Sequence, residues 1–423
     1  MNKNSVFDNY LSKQDQSREL HHVSLDFFPE IIIVIPSYDE GDIFPVLETI
    51  TASFQYHPIP CLVLVVVNAP IDASENIIQN NQVTKQTVLA HQKSNEHQNN
   101  IVFKCLEEES LPIKDAGVGL ARKIGMDVAT IIFRENEKEG IIVCLDADSL
   151  VLPNYLYSIY SSFTENKQWD AASIHFEHSL SIDKFDESII QAIVKYELHL
   201  RVFINFQKWL GLPYAIQTIG SSMAVKATSY CKYGGMNKRK AGEDFYFLQK
   251  IADKGLVGKI NSTTVIPSPR ISNRVPFGTG RAIGGKIDRG VDIMTYNPET
   301  FKILLPLVSN LQAIYDSGWE PVSTELHDVV VSFFEEQKIE IFLDECRKNT
   351  SSFFSFRKRF FQWFNAFKLM KFCHYCRDNG WNDVEPLLAF QKWNQLIETP
   401  MTLATSENMT AALLNLREWD RTN

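Results

Sequence analysis

Short apolar runs alternate with amphipathic stretches along the first part of the chain. Four of these runs, rich in β-branched residues and of strand length, lie at 31–35, 62–67, 101–106 and 141–145. Two stretches between them, 43–54 and 119–133, carry apolar residues at helical spacing. Strands that alternate with helices of this length indicate an α/β fold, in which a mostly parallel sheet has helices on both faces.

The pattern changes twice along the chain. Residues 79–100 are rich in Gln, Asn, Ser and His and are predicted to form an exposed excursion from the sheet. Beyond about residue 290 the strand-like alternation ends, and residues 329–342 and 356–377 have helical spacing. These changes predict an N-terminal extension, an α/β domain and a mainly helical C-terminal region, at 1–27, 28–290 and 291–423.

Composition excludes several classes of protein. A chain of 423 residues with 44% hydrophobic and 22% charged residues can bury large cores, and its net charge of −9 gives no general attraction to nucleic acid. The 7 cysteines are irregularly spaced, which is typical of a reduced protein. The sequence shows no apolar leader or spanning segment, so we expect a cytoplasmic protein without a nucleic-acid partner.

A pair of carboxylates follows the apolar run at 141–145. Asp146 and Asp148 stand one residue apart, so the predicted strand carries both to the edge of the sheet where open α/β folds bind ligands. Two hard oxygen ligands at this edge suit Mg²⁺ or Mn²⁺ bound to a diphosphate. Acids are also common at strand ends and in turns, so the neighbouring motifs decide the interpretation.

Four segments together carry a family resemblance. In chain order they are Pro36-Ser37-Tyr38-Asp39-Glu40, Gly117-Val118-Gly119-Leu120-Ala121-Arg122-Lys123, Leu145-Asp146-Ala147-Asp148 and Gly242-Glu243-Asp244. Their order and spacing resemble those of the family 2 glycosyltransferases of the GT-A fold, over about residues 28–290. The resemblance implies an enzyme that moves a sugar from a nucleoside-diphosphate donor to an acceptor hydroxyl.

The resemblance implies donor-binding roles for several residues. The signature after the first strand lies beneath the nucleoside in that family, and it maps onto Pro36, Tyr38 and Glu40. Asn68 follows the second strand, where relatives commonly carry an acid that reads the base, so the choice of base stays open. Arg122 lies where the family has an Ala-Arg-Asn segment and is expected to approach the nucleotide. A solvated helix cation is the alternative for this arginine.

The resemblance also implies metal binding and proton transfer by acidic residues. By resemblance, Asp146 contacts the ribose or the metal, and Asp148 holds Mg²⁺ or Mn²⁺ between the donor phosphates. Glu243 and Asp244 open a predicted helix, whose N-terminal end favours ionised carboxylates. Glu243 and Asp244 are predicted to be catalytic, and Asp244 is by resemblance the base of an inverting displacement. Acids at helix starts are also ordinary caps, which is the alternative for this pair.

A Gly- and Pro-rich segment with three arginines spans residues 267–281. Arginine forks match phosphate oxygens, so Arg274 and Arg281 are predicted to grip the departing diphosphate. They would replace the His or Arg-Trp element that many relatives place near this point. Surface arginines on a linker are the alternative.

The remaining partners and functions stay open at this level. Aromatic residues mixed with cations at 353–377 indicate either peripheral contact with a membrane, suited to a lipid-linked acceptor, or docking in a helical core. The sequence leaves the acceptor undefined as a glycan, a lipid-linked sugar or a small molecule. Two other functions compete with sugar transfer: nucleotidyl transfer on a similar sheet, and binding of a sugar nucleotide by a degenerate domain without catalysis.

Overall fold

The structure, a computed structural model, describes residues 3–14, 25–272, 278–398 and 408–423. Within these residues the strands form one sheet in the order β3-β2-β1-β4-β7-β6-β8-β5. The strands are β1 (Ile31–Ser37), β2 (Cys61–Pro70), β3 (Ile101–Leu111), β4 (Ile141–Cys144), β5 (Leu150–Val151), β6 (Ala171–Phe176), β7 (Met223–Lys226) and β8 (Val257–Ile266).

Helices connect these strands and make up most of the chain after β8. They are α1 (Lys3–Leu11), α2 (Phe44–Tyr56), α3 (Glu75–Ser94), α4 (Val118–Glu135), α5 (Tyr155–Glu165), α6 (Glu187–Trp209), α7 (Ala227–Lys232), α8 (Glu243–Ala252), α9 (Thr279–Arg289), α10 (Pro298–Ser309), α11 (Leu311–Ser317), α12 (Trp319–Ser323), α13 (Asp328–Glu336), α14 (Ile339–Lys348), α15 (Phe353–Trp363), α16 (Ala366–Asp378), α17 (Pro386–Asn394) and α18 (Met409–Thr422).

The four strands that the sequence predicts, β1 to β4, are parallel neighbours in the sheet, and β6 also pairs in parallel with β8. β1 pairs in parallel with β2 and β4, and β2 pairs in parallel with β3. Every residue of β1 and β4 is buried, which is why their sequences read as continuous apolar runs rather than alternating ones. β7 runs antiparallel between β4 and β6, and β5 runs antiparallel to β8. The expected α/β fold with a mostly parallel sheet is confirmed.

The polar segment at 79–100 is not the exposed excursion that its composition predicts. Most of it belongs to α3, which packs against β2 and β3. The buried face of α3 is largely polar, and hydrogen bonds satisfy it. The Thr84 hydroxyl donates to the Glu40 carbonyl at 3.0 Å, and His91 Nε2 lies 2.9 Å from the Thr51 hydroxyl. Hydrophobic periodicity misses a helix whose buried face is polar.

Two predicted helices are each interrupted once. The stretch at 329–342 is divided between α13 and α14, where Lys338 adopts a left-handed backbone with φ of 58°. The stretch at 356–377 is divided between α15 and α16, and the Asn365 side chain caps α16 by accepting from the Lys368 backbone N–H. A left-handed backbone residue therefore marks the first break, and an N-cap side chain marks the second, within an otherwise periodic sequence.

The chain forms two compact units. The first comprises Met1–Ser179, Thr218–Arg281 and Arg421–Asn423 and contains the whole sheet. The second comprises Leu180–Gln217 and Ala282–Asp420. Helix α6 therefore groups with the C-terminal helices, although it precedes β7 and β8 in the chain. The boundaries at 27/28 and 290/291 stay predictions.

The second unit has a core rich in aromatic residues and a buried ion-pair network. Glu197 is fully buried and accepts from Arg201 at 2.8 Å and from Arg417 at 2.8 Å and 2.6 Å. Arg201 also donates to Asp420 at 2.7 Å. Because Glu197 and Arg201 lie on α6 while Arg417 and Asp420 lie on α18, the network fastens the last helix to this unit.

Several aromatic residues of α15, of α16 and of the turn between them belong to that core. Within 353–377, Phe354 is 81% exposed and Phe367 is 40% exposed. The fully or almost fully buried rings are Phe356, Phe360, Phe361, Phe364 and Phe372. Among the described residues, no helix has the length and apolar content needed to cross a membrane.

Candidate functional site

The carboxyl ends of β1 and β4 bring three predicted donor-site acids to one edge of the sheet. The two strands are parallel neighbours, with Val34 opposite Cys144, so the residues that follow them lie side by side. Glu40 follows β1 and is almost fully buried, at 3% exposure. Asp146 and Asp148 follow β4, with side chains 41% and 26% exposed. Each of these carboxylates is paired with an arginine.

Arg122 joins Asp146 to the start of α8. Its guanidinium is buried, donates to Asp146 Oδ1 at 2.6 Å and makes a very short contact with Glu243 Oε1. Burial opposes the charged form, but Asp146 and Glu243 outweigh it, so the pKa of Arg122 is raised above its ordinary value. Residues of α4, the β4 edge and α8 thus meet at one buried cation.

Asp244 lies beside this ion-pair group at the first turn of α8. Its Oδ1 accepts from the Phe245 backbone N–H at 2.7 Å. Burial raises the pKa of Asp244 to about 7, the Glu243 carboxylate also raises it, and Arg122 and the Phe245 N–H lower it. A carboxyl whose pKa lies near neutrality can both take and release a proton at physiological pH.

Two glycines allow these elements to approach one another closely. A Cβ on Gly220 would lie 2.8 Å from Arg122 Nη1 and 3.0 Å from Asp244 Oδ2. A Cβ on Gly119, in the first turn of α4, would lie 2.0 Å from the Arg239 carbonyl oxygen. Any larger residue at either position would displace the backbone or the ion pairs. The sequence marks Gly119 as part of the family segment but gives no signal for Gly220.

Arg270 joins Asp148 to Glu40 and was not predicted. Its Nη1 and Nη2 donate to Glu40 Oε1 and Oε2 at 2.5 Å and 2.6 Å, and its Nε lies 2.7 Å from Asp148 Oδ2. Burial opposes the charged form, yet the hydrogen bonds that Arg270 donates to Glu40 and the charge of Asp148 raise the pKa of Arg270. Arg270 belongs to the arginine-containing segment after β8, so composition indicated the segment and not the residue.

A polar network surrounds the ends of β1 and β2. Asn68 donates to the Ser37 carbonyl at 2.8 Å, and its Oδ1 is buried without a partner among the described residues. Asn81 on α3 donates to the Asn68 carbonyl at 3.1 Å and to Glu109 Oε1 at 3.2 Å, and its own Oδ1 accepts from the Asp39 N–H. Asp39 has φ of 51°, a left-handed conformation that Asn and Asp tolerate better than most residues.

The other predicted donor residues lie at or near the same edge. Pro36 is buried within β1, and Tyr38 is partly buried just after it. Arg281 is partly buried on α9, next to Gly280, whose carbonyl accepts from the Ser272 N–H at 3.3 Å. That bond brings the base of α9 close to the segment that carries Arg270. Arg274 lies outside the described residues.

The acids at this edge have the donor chemistry of a divalent-cation site, but they are not gathered into a preformed cage. Among the described residues, no group of three or more His, Cys, Asp or Glu side chains is placed to hold a metal ion. Mg²⁺ commonly uses one or two carboxylates together with phosphate oxygens and waters, and Asp146 and Asp148 fit that mode. Their charges are balanced by Arg122 and Arg270.

No protein-family model and no curated protein sequence matches the chain. Among solved structures, the chain is similar to S. aureus TarS 1–349 in complex with UDP-GlcNAc, at 13% identity and a TM-score of 0.34, with 66% of each chain covered. A second structure of TarS 1–349 gives 12% identity and a TM-score of 0.36, covering 75% of this chain and 89% of that one. The Pyrobaculum calidifontis mannosyltransferase PcManGT, in complex with GDP-Man and Mn²⁺, gives 12% identity and a TM-score of 0.35, covering 84% and 92%.

Proposed function

We propose that this chain is a glycosyltransferase that moves a sugar from a nucleoside-diphosphate donor to an acceptor hydroxyl. One observation carries the proposal: the Asp146–Asp148 loop is linked by arginines to both of the other acid groups. Arg122 links Asp146 to the start of α8, and Arg270 links Asp148 to Glu40. A ligand site for the donor and a proton acceptor therefore share one edge of the sheet, as sugar transfer requires.

The nucleoside is assigned to the ends of β1 and β2. Tyr38 offers an aromatic face, and Glu40 and Asp146 offer acceptors to ribose hydroxyls. The buried Oδ1 of Asn68, unpartnered among the described residues, supplies an acceptor for a base N–H. Arg281 is assigned to the diphosphate because of its position at the base of α9.

Asp148 and Asp146 are the proposed ligands of Mg²⁺ or Mn²⁺. Such an ion, when bound, neutralises charge on the departing diphosphate and so promotes its departure. Glu243 is assigned a positioning role, because it is buried against Arg122 and holds that guanidinium beside Asp146. These assignments separate the acids that contact the donor from the acid that supports them.

Asp244 is the proposed base. The acceptor oxygen attacks the anomeric carbon, the bond between that carbon and the phosphate oxygen breaks, and the hydroxyl proton passes to the Asp244 carboxylate. The nucleoside diphosphate leaves with the bonding electrons. Attack from the face opposite the leaving group inverts the anomeric centre. The pKa of about 7 keeps a substantial fraction of Asp244 ionised at neutral pH.

A thermal-shift screen of nucleotide sugars with Mn²⁺ tests donor binding. A ligand that binds only the native state raises the melting temperature, by an amount equivalent to about 2.7 kcal/mol at a hundredfold excess over Kd. We expect at least one donor to do so, and Asp148→Ala to abolish the part that depends on Mn²⁺. Asp8→Ala is the matched control, because Asp8 forms an exposed pair with Arg134. No shift with any donor would contradict the proposal.

Donor binding without catalysis is the second candidate, because Glu40, Asp146 and Asp148 are all occupied by arginines. The two candidates differ in turnover. A transferase releases nucleoside diphosphate from a nucleotide sugar, whereas a binding domain shows the thermal shift alone. Release of pyrophosphate from nucleoside triphosphates would instead identify a nucleotidyltransferase.

Peripheral membrane contact is proposed for the exposed part of 353–377. Phe354 is exposed on α15, and Arg357 and Lys358 lie one turn further along the same helix and are exposed too. An exposed aromatic beside cations suits an interface with anionic lipid. Sedimentation with phosphatidylglycerol vesicles should exceed sedimentation with phosphatidylcholine vesicles and should fall in Phe354→Ser. Equal sedimentation with both lipids would refute this contact.

A further inference from the structure

Arg270 contacts two carboxylates that differ in burial. Its fork pairs with the Glu40 carboxylate, which is 3% exposed, and removal of one partner from a buried ion pair is costly. Its Nε contact reaches Asp148, whose side chain is 26% exposed and can be hydrated or bind another cation. The Glu40 bonds therefore anchor the guanidinium, while the Asp148 bond is free to exchange.

The exchangeable contact lies on the proposed metal ligand. Arg270 Nε is 2.7 Å from Asp148 Oδ2, so a divalent ion at this oxygen competes with the guanidinium N–H. Two cations at one carboxylate oxygen also repel each other. A displaced N–H that remains anchored through Glu40 needs a new acceptor at the same edge of the sheet. An oxygen of a diphosphate is the acceptor that a guanidinium matches best.

Resting on the proposed function, we propose that Arg270 is a donor-binding residue that exchanges partners. In the donor-free protein it occupies Asp148 and weakens the binding of a free divalent cation. When cation and nucleoside diphosphate arrive together, the cation takes Asp148 and the Arg270 N–H donates to the diphosphate. The two ligands therefore bind with positive coupling, because each removes a cost that the other would face alone.

Calorimetric titrations of wild type and Arg270→Gln test this exchange. The probes are Mn²⁺ alone, and then UDP, GDP, CDP and ADP in turn at saturating Mn²⁺. In Arg270→Gln, Mn²⁺ alone should bind about tenfold more tightly, since one charge-assisted contact no longer competes. The nucleoside diphosphate should bind about tenfold more weakly, since the same contact is missing. Opposite signs in the two titrations are the signature of exchange.

Two further variants keep the test decisive if loss of the Glu40 partner impairs folding. Arg270→Lys keeps a positive charge near Glu40, but a single ammonium lacks the planar fork, so it should change both affinities in the same directions and by less. Arg134→Gln is the matched control, because Arg134 also pairs with an aspartate, at an exposed position on α4. It should leave both affinities unchanged.

The outcomes separate this inference from the proposed function. Unchanged Mn²⁺ affinity in Arg270→Gln and Arg270→Lys, with nucleoside diphosphate still bound by wild type, would overturn the exchange alone. Weakening of both ligands would also overturn it and would identify Arg270 as a purely structural support. If neither Mn²⁺ nor any nucleoside diphosphate binds wild type, the proposed function fails and the exchange fails with it.

Discussion

Arg122→Gln should lower the stability of the first unit strongly, because it leaves a buried carboxylate without its cation. Glu243 is 3% exposed and pairs with Arg122, itself 2% exposed. Removal of one partner of a buried ion pair costs about 3–5 kcal/mol, mostly from the charge left behind. Asp146 contributes less to this cost because its side chain is 41% exposed and can be hydrated.

The same reasoning predicts rescue. The double variant Arg122→Gln with Glu243→Gln removes both charges, so most of the lost stability should return. Arg134→Gln changes an exposed arginine on the same helix, and its pair with Asp8 should be worth only about 0–1 kcal/mol. Sugar transfer should stay low in the rescued double variant, because Asp146 has lost its ion-pair partner and Asp244 the nearby cation that lowers its pKa.

Native-state hydrogen exchange followed by mass spectrometry can measure the loss of stability and its recovery in these variants. A chain with two compact units can unfold in more than one step, whereas exchange reports the opening free energy of each segment separately. Peptides from α4, β1 and β4 report on the first unit. A loss below about 1 kcal/mol in Arg122→Gln, or a double variant no more stable than the single one, would refute the buried-pair reasoning.

Three further predictions follow from other contacts. Gly220→Ala should abolish most sugar transfer and lower the free energy of unfolding by about 1–3 kcal/mol, because the added Cβ would contact Arg122 and Asp244. An unaltered kcat/KM would show that these side chains can shift without loss of activity. The pKa of Asp244 is raised to about 7 and its ionised form is the proposed base, so kcat/KM for transfer should rise with pH below about 7 and level off above it. A kcat/KM that stays constant from pH 5 to 8 would argue against this role. Burial raises the pKa of Asp420, but Lys208 and Arg201 outweigh burial, so this pKa is lowered. The ionised carboxylate therefore stabilises the fold above the unfolded pKa of about 3.9, and this stabilisation is lost as pH falls through the lower folded pKa. Asp420→Asn should flatten this loss of stability at low pH in exchange experiments on α18, and an identical loss in both proteins would exclude the contribution.

Strands β1, β2 and β4 could be predicted because they are buried on both faces and read as continuous apolar runs. The partly buried β3 was located from the shorter segment at 101–106, and helical spacing located α2 and α4. Helix α3 was missed because hydrogen bonds, rather than apolar side chains, satisfy much of its buried face. The breaks between α13 and α14 and between α15 and α16 each depend on a single residue that turns the backbone or caps a helix. Hydrophobic periodicity is read over many residues and does not detect such single positions.

In the candidate site, local sequence motifs indicated the acidic residues but not the ion pairs that connect them. Local motifs indicated Glu40, Asp146, Asp148 and Asp244, because each follows a strand or opens a helix. Their cross-links depend on residues distant in the sequence. Arg270 lies in a segment without periodicity. One partner, Glu40, is 230 residues away, and the other, Asp148, lies in the loop after β4. Pairing of this kind is set by tertiary folding.

Release of nucleoside diphosphate from a panel of nucleotide sugars, with Mn²⁺ and with wild type beside Asp244→Asn, tests the central claim most directly. We expect release by wild type from at least one donor, even with water as a slow acceptor. In Asp244→Asn the donor should still bind while release falls by about a hundredfold or more, the usual contribution of a general base. Wild-type protein that binds donors but never releases nucleoside diphosphate, or Asp244→Asn with undiminished release, would contradict it.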